Sequence, residues 1–231
     1  MSEQVKLFWA GVRAEIPLLV GVFPFGMIYG ALALNAGLSK LTAQMMSSIV
    51  FAGSAQFVTA QLVHDAAPGF VILLTIAVVN LRHMLYSASL APYLASLPTR
   101  WKALLSYLLT DEAYAPTIIK YEQDGVQPFS HWFLLGTGLA LWSTWQISTV
   151  FGIFLGTAIP DSWSLDFALP VTFIAMVVPV LKGRPYIAAA VSAGVVALVA
   201  YSLPFKLGLI LAALVGIVVG TVLEKKDDSH I

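Results

Sequence analysis

Long apolar blocks separated by short polar stretches run along the whole chain. Five blocks are continuous enough to predict membrane-spanning helices, namely residues 16–36, 69–97, 132–156, 185–203 and 206–223. A sixth block, residues 167–181, is shorter and contains Pro170 and Pro179. Because a transmembrane helix needs about 20 mainly apolar residues, the pattern predicts several crossings of a bilayer.

Two further blocks are apolar but carry polar residues inside them. Residues 37–63 contain serine, glutamine and threonine, which persist at membrane depth only where they face protein or water. This block is either a polar, inward-facing helix or a re-entrant segment broken within residues 51–56, and it is the predicted wall of a hydrophilic pathway. Residues 103–120 hold Asp111 and Glu112, so they form either a span or a surface hairpin with solvated acids.

The pattern predicts an all-α fold, a polytopic membrane bundle of about seven or eight spans or re-entrant segments. One domain would cover residues 1–231, with a polar cytoplasmic head at 1–15 and a polar tail at 224–231. The first block is longer than the apolar core of a signal peptide, so we expect it to be retained.

Proline and glycine add detail to the predicted bundle. Pro24 is expected to kink or break the first helix, and it occupies a place similar to that of Pro170 in a segment of opposite direction. Such pairs are typical of inverted repeats with broken helices. Gly26 and Gly30 form a close-packing face, and a glycine and alanine ladder from Gly208 to Gly220 predicts contact with another helix, in this chain or in a second subunit.

Composition supports a membrane protein. Of the 231 residues, 59% are hydrophobic and 10% are charged, whereas soluble domains carry about 25% charged residues. The chain has no cysteine, which excludes disulfides and thiolate metal sites. Its formal net charge is zero and no basic run occurs, so the lipid bilayer is an expected partner and nucleic acid is not.

The scarce charges single out the segment Asn-Leu-Arg-His-Met-Leu-Tyr-Ser at residues 80–87. A charge at the centre of a membrane helix costs about 2.5–3.5 kcal/mol, so Arg82 needs a partner. Asp111 and Glu112 are the only carboxylates inside a predicted span. Attraction at about 4 Å is worth about 4 kcal/mol at an effective dielectric constant of 20, so at least one acid should pair with Arg82 or His83.

Basic residues predict the orientation only in part. Positively charged residues collect on the cytoplasmic side of membrane proteins. The pairs Lys6/Arg13, Lys182/Arg184 and Lys225/Lys226 therefore predict cytoplasmic N- and C-termini. Eight spans, however, would put Arg100 and Lys102 outside, in conflict with the same rule.

Several motifs resemble the AzlC family, which includes YgaZ-type proteins. They are Pro-Phe-Gly at 24–26, Gly-Leu-Ser at 37–39, Phe-Ala-Gly-Ser-Ala-Gln-Phe at 51–57, Asn-Leu-Arg-His-Met-Leu-Tyr-Ser at 80–87 and Leu-Thr-Asp-Glu-Ala at 109–113. The resemblance implies the large subunit of a bacterial inner-membrane exporter of valine, leucine, isoleucine and methionine. It also implies coupling to the proton gradient and a separate small AzlD-type subunit.

A secondary transporter would use these residues in distinct roles. Arg82 would bind the amino acid carboxylate or hold the acids in place, and Asp111, Glu112 and His83 are the candidate proton carriers. The remaining predicted substrate-site residues are Pro24, Phe25, Phe51, Gly53, Ser54, Gln56 and Asn80. No cofactor or metal is expected. Alternatives are a passive channel, an assembly subunit or an intramembrane enzyme, although the chain lacks His-Glu-x-x-His and Gly-x-Ser-x-Gly.

Overall fold

The computed structural model describes residues 2–125, 127–155, 181, 183–203 and 207–228. All regular elements in these residues are helices: α1 (Glu3–Asn35), α2 (Lys40–Ile49), α3 (Gly53–His64), α4 (Gly69–Val79), α5 (Leu81–Leu94), α6 (Thr99–Leu108), α7 (Asp111–Asp124), α8 (His131–Leu155), α9 (Arg184–Val199) and α10 (Leu207–Asp228). The predicted span at 167–181, which includes Pro170, lies outside the described residues except for Leu181. The all-α prediction is confirmed.

The described residues within Met1–His64 and Val79–Trp163 form one compact unit, and those within Asp65–Val78 and Ser164–Ile231 form a second. Among the described residues, three helical stretches are long and apolar enough to cross a membrane: Glu3–Asn35, Gly69–Leu94 and His131–Leu155. Two shorter apolar helices lie in the second unit. The predicted count of seven or eight spans is not confirmed.

The frame of the first unit is the pair α1 and α8. Gly11 lies against Phe133 and Thr137, and Gly26 lies against Ser148. Residue numbers rise together along the contact, so the two helices are parallel. A β-carbon at Gly11 would overlap the Phe133 carbonyl, which shows that small residues set the close approach. The predicted close packing at Gly26 is thereby confirmed.

Helix α1 begins well before the predicted span at 16–36. It begins at Glu3 and continues through Pro17 and Pro24, so the predicted polar head is helical and no break occurs at Pro24. Packing on α8 both before and after Pro24 holds the helix together despite the backbone hydrogen bond that proline removes. At the other end of the chain, α10 extends to Asp228, so the predicted polar tail is also partly helical.

The α2–α3 pair is a helical hairpin that turns back near the middle of α8, the arrangement expected of the re-entrant form predicted for residues 37–63. Lys40 lies over the Phe154 ring at the carboxyl end of α8, 4.9 Å from its centroid. Ser48 donates a hydrogen bond of 2.9 Å to Gln146 near the middle of α8. The chain then turns back, so Tyr29 of α1 contacts both helices of the pair. Its hydroxyl donates to the Ala43 carbonyl of α2, and its ring centroid lies 5.9 Å from that of Phe57 of α3.

The α6–α7 pair enters from the opposite end of the frame. Trp101 of α6 packs 5.4 Å from Trp132 at the start of α8, and Leu108 lies against Gly138. Helix α7 returns to the same end, where the Tyr121 hydroxyl donates to the Ser130 carbonyl over 3.0 Å. Residues 103–120 therefore belong to two helices with a break at 109–110, which is the hairpin of the two predicted alternatives, except that Asp111 pairs with Arg82 rather than with solvent alone.

The tips of the two hairpins meet near the middle of α8. The Tyr107 hydroxyl donates to the Ser48 carbonyl, and its ring lies 6.2 Å from that of Phe51. Side chains also supply the hydrogen bonds that the broken backbone needs at this depth, since Gln56 Nε2 donates to the carbonyl of Val50 at 2.5 Å.

A third interruption falls at Asn80. Helix α4 ends at Val79 and α5 begins at Leu81, with Asn80 at φ −88° and ψ 0° between them. Helix α5 then runs in the same sense as α7, because Tyr86 stacks on Tyr114 at 4.7 Å and Tyr93 contacts Tyr121 at 5.2 Å. The predicted span at 69–97 is thus present as the apolar stretch Gly69–Leu94, with an interruption of one residue at Asn80 that the sequence did not predict.

In the second unit, α9 and α10 pack against each other. Gly216 and Gly220 lie on Ala189 of α9, where an added β-carbon would come within 3.2 Å of it. The glycine and alanine ladder of α10 thus contacts a helix of its own chain, one of the two predicted alternatives.

Candidate functional site

Three helices of the first unit begin around the guanidinium of Arg82. Ser54 lies in the first turn of α3, Arg82 in that of α5, and Asp111 is the first residue of α7. Arg82 Nη1 donates to Asp111 Oδ2 over 3.0 Å, and Nη2 donates to Ser54 Oγ over 2.7 Å. The predicted pairing of Arg82 with one of the two acids is confirmed.

The break before α7 explains why the acids can be there. Thr110 is the N-cap of α7, and its hydroxyl accepts a hydrogen bond of 3.4 Å from the Ala113 backbone N–H. Asp111 and Glu112 occupy the first turn, where unpaired N–H groups and the helix dipole favour negative charge. The prediction of acids in mid-span is corrected: they open a helix whose start lies beside Arg82.

The site contains two carboxyl groups for one guanidinium. The Arg82 and Asp111 side chains are 27% and 24% exposed, so water screens the pair only partly. Glu112 lies within electrostatic reach of both Asp111 and Arg82. The two acids therefore offer more potential negative charge than the single guanidinium can balance.

Three buried polar atoms of residues 80–83 have no hydrogen-bond partner: Asn80 Oδ1, Arg82 Nε and His83 Nε2. Each such group costs about 1–3 kcal/mol relative to a satisfied one. Native proteins tolerate such a cost mainly at functional sites. Asn80, Arg82 and His83 therefore offer both donors and acceptors to a small polar molecule.

Other predicted site residues build the support for this centre. Gln56 is fully buried, and its side-chain oxygen accepts a hydrogen bond of 3.1 Å from Trp145 Nε1. Gly53 lies flat against the Trp145 ring, where a β-carbon would come within 3.0 Å. Phe25 stacks on Phe57 with centroids 4.5 Å apart. Together they form an aromatic core beneath the tip of the α2–α3 hairpin.

Two predicted residues lie apart from that core. Phe51 is at the hairpin tip against Tyr107, as described above, whereas Pro24 is exposed on α1. An exposed proline in an unbroken helix neither lines the buried interior nor opens the helix backbone toward Arg82. The assignment of Pro24 to the substrate site thus has no support from its position.

A small apolar cavity of about 170 Å³ begins one turn beyond His83. It is lined by Ser87, Leu90, Ala91, Leu94, Ala95, Lys102, Leu105, Ser106, Leu109 and Leu134. Leu109 belongs to the break before α7, so the cavity lies between the Arg82 centre and the end of the frame where α6 begins. Nothing in the apolar pattern distinguished these residues from ordinary core positions.

Two further features were missed from the sequence. Tyr114 joins α7 to α5, since its hydroxyl lies 2.9 Å from Ser89 Oγ. Glu15, assigned to a polar head, is completely buried in α1. The sequence signal for this burial was the spacing of one helical turn between Gly11 and Glu15. That signal is visible only if the first helix is taken to begin before residue 11. Within the described part of the chain, no group of three or more His, Asp or Glu side chains is placed to hold a metal.

Comparison with known proteins gives a consistent assignment. Residues 17–159 match the family described as AzlC protein. An uncharacterised membrane protein of Archaeoglobus fulgidus is 31% identical over 215 residues, 91% of this chain and 92% of that protein. The inner membrane protein YgaZ of Escherichia coli is 26% identical over 221 residues, 92% of this chain and 87% of that protein.

A more distant relative carries a functional name. The branched-chain amino acid transport protein AzlC of Bacillus subtilis is 25% identical over 171 residues, 72% of this chain and 66% of that protein. No solved structure matches the chain.

Proposed function

This chain belongs to the AzlC family of membrane proteins, and we propose that it is a secondary exporter of branched-chain amino acids. Valine, leucine and isoleucine are the proposed substrates, with methionine as a further one. The name of the Bacillus subtilis relative supports the substrate class. The observation that carries the proposal is the Arg82 centre, where three helix starts meet between two re-entrant hairpins.

Arg82 and the helix starts suit a carboxylate. The N-termini of α3, α5 and α7 each present unpaired N–H groups and a partial positive charge. Broken helices whose N-termini face an anionic substrate group near mid-membrane are a recurrent design of secondary transporters. Arg82 Nε, which is buried without a partner, is a further donor for the substrate carboxylate.

Acceptors for an ammonium group lie close by. Asn80 Oδ1 is buried and unpartnered, and Asp111 retains a second carboxylate oxygen beside the one bonded to Arg82. A zwitterionic amino acid bound here would pair with both the unpartnered donors and the unpartnered acceptors. This pairing lowers the free-energy cost of burying those polar groups in the membrane.

The apolar cavity suits an aliphatic side chain. Its wall is formed mostly by leucine and alanine, and its volume of about 170 Å³ admits a few carbon atoms but no large ligand. With the carboxylate at Arg82, a branched side chain would extend along α5 past Ser87. We propose that this cavity binds the substrate side chain from the cytoplasmic side.

Proton coupling is assigned to the acid pair. Substrate binding at Arg82 would compete with Asp111 for the guanidinium and change how easily Asp111 and Glu112 hold a proton. His83, whose Nε2 is buried without a partner, is the second candidate carrier. The result is an exchange of an outgoing amino acid for an incoming proton.

The re-entrant hairpins support a cytoplasmic N-terminus and remove the conflict over Arg100 and Lys102. Helix α6 begins at the same end of the frame as α1, so the two residues lie on the side of Lys6 and Arg13. Lys40 lies at the other end. This asymmetry favours a cytoplasmic N-terminus under the positive-inside rule. We propose an inner-membrane location with the C-terminus also cytoplasmic, and a small AzlD-type subunit as partner.

The test is efflux of labelled leucine from proteoliposomes that contain the chain with and without the AzlD-type subunit. We expect uphill efflux driven by a pH gradient, lost in Arg82→Gln and retained in Arg100→Gln, an exposed control on α6. Asp111→Asn and Glu112→Gln test coupling: if both keep full gradient-driven efflux, the acid pair is not the proton carrier. Flux that only dissipates a leucine gradient would instead indicate a passive channel.

A further inference from the structure

Glu15 combines complete burial with the absence of any partner. Its side chain is 0% exposed, and neither Oε1 nor Oε2 has a hydrogen-bond partner. Among the described residues, no other carboxyl group has both oxygens in this condition. An ionised carboxylate in such a site would be far more costly than the neutral acid, so this buried position favours a protonated glutamic acid.

The helices packed on α1 bring no counter-charge to Glu15. Their titratable residues are His131 at the start of α8, Lys40 at the start of α2, His64 at the end of α3, and on α7 Asp111, Glu112, Tyr114, Lys120, Tyr121, Glu122 and Asp124. On α1 itself, Arg13 is exposed and the Tyr29 hydroxyl donates to Ala43. None of these residues forms an ion pair or hydrogen bond with Glu15.

The level of Glu15 along α8 places it near α7, the helix that begins beside Arg82. Glu15 follows Gly11 by one turn on the face against α8, and Gly11 lies at Phe133 and Thr137. Since α1 and α8 are parallel, Glu15 is level with Thr137 and the turn after it. Thr137 Oγ1 lies 3.4 Å from Thr117 Oγ1 of α7, the helix that begins with Asp111.

We propose that Glu15 is a second proton-binding site of the transport cycle, separate from the acid pair beside Arg82. This inference rests on the proposed function. A Glu15 carboxylate oxygen takes up one proton from the outer solution in a conformation that opens α1 from α8. The neutral acid then returns to the buried position, and the same proton leaves to the cytoplasm when the packing opens on that side.

The test uses the full chain with its AzlD-type subunit in proteoliposomes that contain a pH-sensitive dye. Labelled leucine and protons are counted together for the wild type, for Glu15→Gln and for Glu3→Gln, an exposed control on the same helix. We expect Glu15→Gln to lower the number of protons moved per leucine and to reduce gradient-driven efflux more than leucine exchange. Glu3→Gln should match the wild type. An unchanged proton-to-leucine ratio in Glu15→Gln overturns the proposal.

A second measurement needs no variant, which matters if Glu15→Gln does not fold. Dicyclohexylcarbodiimide reacts with protonated carboxyl groups in apolar surroundings, and the adducts can be mapped by mass spectrometry. We expect an adduct on Glu15 that declines as the pH is raised. No adduct at any pH, or one that does not depend on pH, contradicts the proposal. If the wild type moves no leucine, the proposed function fails by itself, while the pH dependence of the adduct still decides whether Glu15 binds a proton.

Discussion

The contact between Arg82 and Asp111 allows a quantitative prediction of its strength. At 3.0 Å, two unit charges attract by about 5.5 kcal/mol if the effective dielectric constant is about 20. Removing both groups from water offsets much of that attraction. We therefore expect a net coupling of about 1.5–3 kcal/mol, the range for hydrogen bonds to charged groups.

The chain contains its own control for this prediction. Lys120 and Asp124 form a shorter contact of 2.7 Å, but their side chains are 30% and 46% exposed and lie one turn apart on α7. Such surface pairs contribute only about 0.3–0.5 kcal/mol. If burial rather than distance decides the strength of an ion pair, the Arg82–Asp111 pair must be several times stronger than the Lys120–Asp124 pair, although its contact is longer.

The assay is a pair of double-mutant cycles on the purified protein. One cycle combines Arg82→Gln with Asp111→Asn, and the other combines Lys120→Gln with Asp124→Asn. The free energy of unfolding is followed by the fluorescence of the six tryptophans during denaturant titration. Asp111→Asn alone should cost about 1–3 kcal/mol, because it leaves the partly buried guanidinium of Arg82 without its charged partner, and the double variant should recover part of this loss. Additive effects at Arg82 and Asp111, or coupling no larger than in the control cycle, would refute a partly desolvated pair at the centre of the site.

Three other predictions follow from the packing and the topology. Ala91→Leu fills part of the cavity, so it should reduce efflux of leucine more than that of valine in a competition assay, and an equal loss for both would argue against a side-chain pocket. Gly136→Ala places a β-carbon on the Phe8 carbonyl and should lower the unfolding free energy by about 1–3 kcal/mol, whereas Gly21→Ala, with open space around it, should cost less than about 0.5 kcal/mol in the same titration. Because the chain has no cysteine, Arg100→Cys and Lys40→Cys can be labelled singly with a membrane-impermeant maleimide in intact cells. Lys40→Cys should react and Arg100→Cys should not, and the reverse result would invert the proposed orientation.

The sequence by itself determined the class of the protein and the composition of its central site. The long apolar blocks predicted membrane helices, and α8 begins within one residue of its predicted start. The pairing of Arg82 followed from scarcity: one cation and two acids among apolar residues have few other ways to reduce the cost of burial. These conclusions depend on local composition and charge, which a single sequence contains in full.

Only the tertiary structure decided where the helices break and what the breaks face. Hydropathy is similar on both sides of residues 109–110, so it cannot mark that interruption. The chain is less apolar after Asn80 than before it, but Arg82 and His83 account for the difference without any break in the helix. A broken helix persists at membrane depth only if its free carbonyls find donors, and these come from distant residues: Tyr107 donates to Ser48, and Gln146 to Ser47. Glu15 illustrates the same limit, because its burial depends on α8, more than a hundred residues further along the chain. Contacts between residues far apart in the sequence therefore decided where the polar side chains lie and which helix starts surround them.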